Sequence, residues 1–122
     1  MKVMLSIHPE FAEKILSGEK KWEYRKVWCC KNVKSILIYV TAPVKKVVGE
    51  VMLIGKMEDE PAWVWKMTKE FSGMTKKQFF DYYKGKSRAV GWQLGKVTRF
   101  DTPKELSDYG LKTAPQSFAY VD

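Results

Sequence analysis

Hydrophobic and polar positions alternate in several stretches of the chain, which predicts β-strands. The predicted strands are residues 2–8, 20–27, 35–41, 45–57 and 87–100, and a short extended piece at the end of the turn-rich tail is the sixth. The third of them, SILIYVT, is almost entirely β-branched or aromatic and is expected to be a central strand buried on both faces. Gly49 and Gly55 interrupt the fourth, which predicts bulges or bends like those at the corners of small barrels.

Helical patterns occupy the segments between these strands. Pro9 lies at a favourable first-turn position of a short helix that should end at Gly18. After the fourth strand, Pro61 is expected to begin a second helix, Gly73 to end it, and Thr75 to cap a third. The order β-α-β-β-β-α-α-β-β predicts an α+β fold, a small, mostly antiparallel barrel with helices over its openings.

The polar stretch 18–26, GEKKWEYRK, also alternates. Its two aromatic residues face one side of an extended chain, while Lys21, Glu23 and Arg25 face the other, with about 6.6 Å between successive members. A glutamate between two cations should stay ionised, and it can hold the arginine toward a phosphate or a base edge. The same alternation also fits a solvated sheet face with compensating charges.

The composition is typical of a folded globule, with 45% hydrophobic and 14% aromatic residues among 122. We expect one domain over residues 1–122. No apolar run approaches the roughly 20 residues that span a bilayer. The amino terminus also lacks the apolar core and cleavage site of a signal peptide. The expectation is therefore a cytoplasmic protein without a membrane partner.

The balance of charge indicates a polyanionic partner. Lysine and arginine number 22 against 14 acidic residues, giving a net charge of +8. Nucleic acid is the commonest polyanion inside a cell, so RNA or a nucleotide is the expected ligand. Solubility alone is the alternative, because all basic residues except Arg25, Arg88 and Arg99 are lysines.

Few residues offer catalytic or metal-binding chemistry. The adjacent Cys29 and Cys30, with a single histidine elsewhere, do not have the spacing of a zinc site. We interpret them as reduced thiols, with a vicinal redox pair as the alternative. His8 follows a strand end, where a structural histidine is expected, and no nucleophile elbow, P-loop or dinucleotide motif occurs. No cofactor and no metal is expected.

Aromatic residues alternate with lysines in the second half of the chain. Such a mixture can form stacking platforms for single-stranded nucleic acid, but aromatics at helical spacing usually form a core. The core is the favoured interpretation, and the segments KKQ (76–78) and KGKSR (84–88) are better candidates for contacts to a nucleic-acid backbone. The aromatic residues concerned are Trp63, Trp65, Phe79, Phe80, Tyr82, Tyr83 and Trp92.

The stretch ILSGEKKWEYR resembles the signature of the ASCH domain, a relative of the PUA domain. That signature is a helix ending in Gly-x-Lys, followed by a strand with Glu-x-Arg. Gly18, Lys20, Glu23 and Arg25 match it. The likeness extends to LSIHPEFAEKILSG, ILIYVTAPVKKVVGE, FSGMTKKQFFDYYKGK and the closing PQSF, and so covers nearly the whole chain.

The resemblance implies a PUA-like β-barrel with a cleft between barrel and helices, in a family whose members are thought to bind RNA. One branch resembles amidohydrolases that deacetylate N4-acetylcytidine with a lysine and a threonine nucleophile. Here Lys20 matches the lysine, but Glu23 occupies the threonine position, and a glutamate is a poor substitute for an alkoxide nucleophile. Other members are ribonucleases.

The resulting hypothesis is an RNA- or nucleotide-binding module with a regulatory role and a basic cleft built on this motif. The candidate ligand-binding residues are Gly18, Lys20, Lys21, Glu23 and Arg25, together with His8, Lys86 and Ser117. The alternative is a small hydrolase of a modified nucleoside or of RNA, with Lys20 as base or electrostatic stabiliser and Glu23 activating water. A protein-interaction domain with a basic surface is a third possibility.

Overall fold

The computed structural model describes residues 1–29 and 31–122, and the elements follow the predicted order. The strands are β1 (Lys2–Ile7), β2 (Trp22–Arg25), β3 (Ser35–Val40), β4 (Lys46–Asp59), β5 (Ala89–Lys104) and β6 (Phe118–Val121). The helices are α1 (Pro9–Ser17), α2 (Pro61–Thr68) and α3 (Lys76–Tyr82), and short 3-10 turns follow α2 and β5. The prediction for the last long strand ended too early, because β5 continues to Lys104.

These strands form one sheet in the order β2-β5-β4-β3-β1-β6. In the described part of the chain, neighbours run antiparallel except for the parallel pair β1 and β3. Every residue of β3 is buried, as predicted for a central strand. The pairing register shifts at Gly49 and Gly55, which confirms the predicted bends. An added Cβ at Gly49 would lie 2.7 Å from the carbonyl oxygen of Thr98, so glycine permits the close approach of β4 and β5.

The sheet curls into a half-barrel, and its opposite edges approach each other. The ring centroids of Trp92 on β5 and Phe118 on β6 lie 6.0 Å apart, although three strands separate β5 from β6 in the sheet order. The main core fills the concave side, where apolar residues of β1 and β3 pack with Ala12 and Ile15 of α1. This confirms the predicted α+β architecture of a small mixed barrel with helices.

Most of the helices begin or end at the residues that the sequence predicted. The N–H of Gly18 donates to the Ile15 carbonyl at 3.1 Å, and Gly18 takes the left-handed φ of 88° that turns the chain toward β2. Gly73 does not end α2, which stops at Thr68 and continues as a 3-10 turn. The hydroxyl of Thr68 donates to the Val64 carbonyl at 2.7 Å, an acceptor that the helix backbone would otherwise use.

We expect Thr75→Ala to lower the free energy of unfolding by about 1 kcal/mol, because Thr75 caps α3. Its hydroxyl accepts from the Gln78 N–H at 3.1 Å, and its N–H donates to Oε1 of Gln78 at 2.9 Å. Urea denaturation is the measurement. Thr113→Ala, in an exposed loop, is the control, and equal losses in the two variants would contradict the capping role.

Most of the aromatic residues belong to the core, as predicted. Phe79, Tyr83 and Trp92 are fully buried, whereas Trp63 and Tyr82 are exposed by 47% and 38%. Cys29 is buried in the main core, but the predicted thiol pair also includes Cys30, which lies outside the described residues. Over the described residues, no helix has the length and apolar character needed to cross a bilayer.

Candidate functional site

A cleft of about 770 Å³ lies where β1 and β2 meet α1 and α3. Its size is in the range of small-molecule binding sites, and its walls combine apolar and polar side chains. The apolar contributors are Ile7, Phe11, Tyr24, Met74 and Tyr82. The polar contributors are Ser6, His8, Glu10, Glu23, Arg25, Thr41, Gln78, Asp81 and Gln116.

Glu23 and Arg25 form an ion pair in the wall of this cleft. Nε and Nη2 of Arg25 each lie 3.0 Å from Oε2 of Glu23, and both side chains are almost buried. The second carboxylate oxygen of Glu23, Oε1, accepts no hydrogen bond from the described residues, yet it is not sealed from solvent. Glu23 therefore presents one carboxylate oxygen to the cleft as a hydrogen-bond acceptor, held in place by the ion pair with Arg25.

Arg25 also joins two edges of the curled sheet. Its Nη2 donates to the carbonyl oxygen of Ser6 on β1 at 2.8 Å, and its Nη1 donates to that of Ser117 at 3.4 Å, just before β6. Strand β2 lies at the opposite end of the sheet order from β1 and β6. The guanidinium thus spans the open side of the half-barrel, and most of its donors are used within the protein.

Lys20 lies behind the cleft and not in its lining. The residue is 1% exposed, and its Nζ donates to the Ser72 carbonyl at 2.6 Å. The ring centroids of Phe11 and Tyr24, which do line the cleft, lie 5.4 and 4.7 Å from this Nζ. Burial lowers the pKa of Lys20 from 10.5 to about 8, although nearby Glu23 opposes the shift.

Gly73 makes room for the buried lysine. An added Cβ at this position would lie 2.6 Å from the aliphatic stem of Lys20, and the φ of Gly73 is 68°. The carbonyl of Gly73 accepts from Nζ of Lys14 at 3.2 Å. The sequence pattern identified Gly73 as a helix terminator, whereas its structural role is to let the 69–75 segment pack on the motif.

Of three further predicted site residues, His8 lines the cleft, whereas Gly18 and Ser117 do not. Nδ1 of His8 is 3.5 Å from the hydroxyl of Thr41, which lines the cleft too. Gly18 shapes the turn before β2 without a side chain. Ser117 contributes only its carbonyl oxygen, to Arg25.

Two further predicted lysines, like Lys20, do not line the cleft. Lys21 precedes β2 instead of belonging to it, and its Nζ lies 4.4 Å from the ring centroid of Phe71. Lys86 is exposed, and its backbone N–H donates to the Tyr83 carbonyl at 2.9 Å. The alternation that grouped Lys21 with Glu23 and Arg25 therefore stops at the start of the strand.

The cleft lining is not dominated by positive charge. It holds the carboxylates of Glu10, Glu23 and Asp81 and a single guanidinium, that of Arg25, which is already paired. Asp81 is in turn paired with Lys77 at 2.6 Å. The site therefore favours a ligand that donates hydrogen bonds, and the lysines that give the chain its charge lie elsewhere on the surface.

Helix α3 contributes Asp81 to the cleft, which the sequence analysis missed, together with Gln78 of the predicted contact segment 76–78 and Tyr82. Gln78, Asp81 and Tyr82 follow the i, i+3, i+4 spacing of one helix face, and this was the signal available in the sequence. Gln116 comes from the segment before β6, and no local pattern marks it. Within residues 1–29 and 31–122, no group of three or more His, Cys, Asp or Glu side chains is placed to hold a metal ion.

No family model matches the chain. It is 32% identical over 120 residues to the large ribosomal subunit protein uL22 of Ureaplasma parvum, covering 98% of this chain and 39% of that protein. ATP synthase subunit alpha of the same organism is 28% identical, with 15% of its length covered. An ASCH domain-containing ribonuclease of Zymomonas mobilis is 30% identical over 94 residues, covering 76% of this chain and 64% of that one. The chain thus spans less than two thirds of each of these relatives.

Solved structures match over nearly the whole chain. The crystal structure of ASCH from Zymomonas mobilis has a TM-score of 0.91 and 26% identity, covering 99% of this chain and 87% of the other. A tyrosine-to-phenylalanine variant of that protein gives the same TM-score with 25% identity and 90% of its chain covered. The similarity confirms the predicted PUA-like fold.

Proposed function

Because this chain is an ASCH domain, we propose that it binds RNA and holds one unpaired base in the cleft. The observation that supports this most directly is Glu23. One of its oxygens is fixed by Arg25, and the other faces a cavity of about 770 Å³ with aromatic walls. RNA recognition commonly places an unstacked base against aromatic rings and reads its polar edge by hydrogen bonds.

The chemistry of the cleft suits a base better than a phosphate. Oε1 of Glu23 accepts a hydrogen bond from a base amine or ring N–H, while Phe11 and Tyr82 offer apolar contact. The carboxylates of Glu10 and Asp81 repel a phosphate group. The backbone then stays at the rim, where Nζ of Lys26 lies 4.6 Å from the Tyr82 ring centroid.

The relatives support a binding role for the domain. Segments similar to this chain occur in proteins with different names, a ribosomal protein, an ATP synthase subunit and a ribonuclease. A domain found in such different proteins is expected to supply a portable binding site, and two of the three names concern RNA. This supports RNA as the ligand of the cleft in this chain.

Glu23→Gln is expected to weaken the binding of single-stranded RNA by about tenfold, because a hydrogen bond to a charged group is replaced by a neutral one. Fluorescence anisotropy with labelled RNA at low salt measures the affinity. Glu19→Gln, an exposed residue of the same motif outside this cleft, is the matched control and should bind like the wild type. The absence of RNA binding at low salt, or equal affinity of the two variants, would contradict the proposal.

Hydrolysis of RNA or of a modified nucleoside is the second candidate function. It is favoured by the relative named as a ribonuclease and by the lowered pKa of Lys20 beside Glu23. In this mechanism Glu23 activates a water molecule, and Lys20, which does not line the cleft, stabilises developing negative charge through its charge alone and without contact to the substrate. Mass spectrometry of single-stranded RNA and of N4-acetylcytidine after incubation with the protein tests it. These roles are excluded if product still forms with the Glu23→Gln variant and with the Lys20→Met variant.

A further inference from the structure

The outer face of α2 and of the turn after it carries an exposed apolar stripe, which consists of Trp63, Met67 and Phe71. Their exposed fractions are 47%, 52% and 38%. They follow one another at four-residue spacing, so they project from one side of the helix and its continuation. None of the three belongs to the hydrophobic clusters formed by the described residues. The stripe therefore contributes little to the core and is open to a partner.

Each ring of the stripe has a lysine beside it. Nζ of Lys66 lies 5.6 Å from the ring centroid of Trp63, and Nζ of Lys21 lies 4.4 Å from that of Phe71. Lys69 lies between the two rings in sequence, in the 3-10 turn, and the neighbouring carboxylates are those of Glu70, of Glu60 at the start of α2 and of Glu19, which lines a surface pocket with Phe71. Each ring therefore has its own cation among these carboxylates, and one of the two cations is Lys21, which does not line the cleft.

We propose that this stripe is a second contact surface for single-stranded RNA, with bases stacking on Trp63 and Phe71 and phosphates meeting Lys21 and Lys66. The inference rests on the proposed function, since it takes RNA as the ligand. Five residues of α2 at about 1.5 Å rise and three of the 3-10 turn at about 2.0 Å separate the two rings by roughly 13 Å along the chain. Stacked nucleotides are about 3.4 Å apart along a strand, so the two rings contact bases that are not adjacent.

RNA fits the stripe better than a protein or a bilayer. Protein interfaces are depleted in lysine at their centres, whereas surfaces for single strands combine aromatic rings with positive charge. Helices that lie on membranes bury a long continuous apolar face. Helix α2 has only eight residues and a narrow stripe. The pairing of each exposed ring with its own cation therefore selects a single nucleic-acid strand.

The test compares an RNA strand of about twelve nucleotides with the four ribonucleoside monophosphates. Trp63→Ala and Phe71→Ala are each expected to weaken binding of the strand by about tenfold. Their affinity for the monophosphates, which occupy the cleft alone, should not change. Ile54→Ala removes an apolar side chain that is 60% exposed on β4 and is the matched control. Thermal unfolding verifies that the variants remain folded.

The outcomes separate this inference from the cleft proposal. Wild-type affinity for the strand in both ring variants overturns the stripe as an RNA surface, whatever Glu23→Gln does. The proposal is also overturned if the ring variants lose their binding to vesicles that contain anionic lipid but keep their affinity for the RNA strand. Weakened strand binding in the ring variants with unchanged binding in Glu23→Gln supports the stripe and contradicts the cleft.

Discussion

Arg25→Ala is expected to lower the free energy of unfolding by about 4 kcal/mol. The side chains of Arg25 and Glu23 are only 13% and 10% exposed, so the substitution leaves a nearly buried carboxylate without its cation. It also removes the donors to the carbonyls of Ser6 and Ser117, which join β2 to the far edge of the sheet. Urea denaturation, with ligand binding measured separately, is the experiment.

A matched ion pair on the surface provides the control. Arg99 pairs with Glu13 at 3.0 Å, but their side chains are 54% and 67% exposed, so Arg99→Ala should cost less than about 1 kcal/mol. Adding Glu23→Gln to Arg25→Ala should recover part of the loss, because no charge then remains buried without a partner. Equal losses for Arg25→Ala and Arg99→Ala would contradict the role of Arg25 in closing the barrel.

The second large expected effect is an increase in the free energy of unfolding above pH 8, which depends on Lys20. Its pKa is about 8 in the folded protein against 10.5 without burial, so the unfolded chain binds the proton more tightly. Burial of the charged lysine therefore destabilises the folded protein. This destabilisation is present in full below pH 8 and decreases as the pH rises toward 10.5. Between pH 8 and about 9.5 the free energy of unfolding should therefore increase by about 2 kcal/mol.

Chemical denaturation at several pH values measures this dependence. Lys20→Met should abolish the rise, whereas Lys96→Met, which alters an exposed lysine on β5, should keep it. The window ends below pH 10, because burial raises the pKa of Tyr24 to about 12 and tyrosine ionisation then destabilises the fold. A flat profile in the wild type between pH 8 and 9.5 would contradict the burial of a titrating lysine.

The motif residues have separate tasks in this structure. Gly18 turns the chain after α1, and Lys20 is buried against the Ser72 carbonyl. Arg25 spans the open side of the sheet, and Glu23 alone of the four presents an unpaired polar atom to the cleft. Three motif positions thus hold the wall in place, and the ligand contact that we propose is made by the fourth.

The sequence by itself determined the order of the elements and most of their ends. Strand periodicity, the proline at the start of α1, Gly18 and the cap at Thr75 act within a few residues, so their effects are visible locally. The bends at Gly49 and Gly55 were visible for the same reason.

Only the tertiary structure decided which polar residues meet. Lys20 is buried because the segment around Ser72 and Gly73, fifty residues away in sequence, packs over it, and no local pattern records that contact. Arg25 reaches Ser6 and Ser117 because the sheet curls, and this curl is a property of all the strands together. Alternation along a strand reports only the face of the strand from which a side chain leaves. The direction that a polar side chain then takes is set by the segments that pack against it from distant parts of the chain.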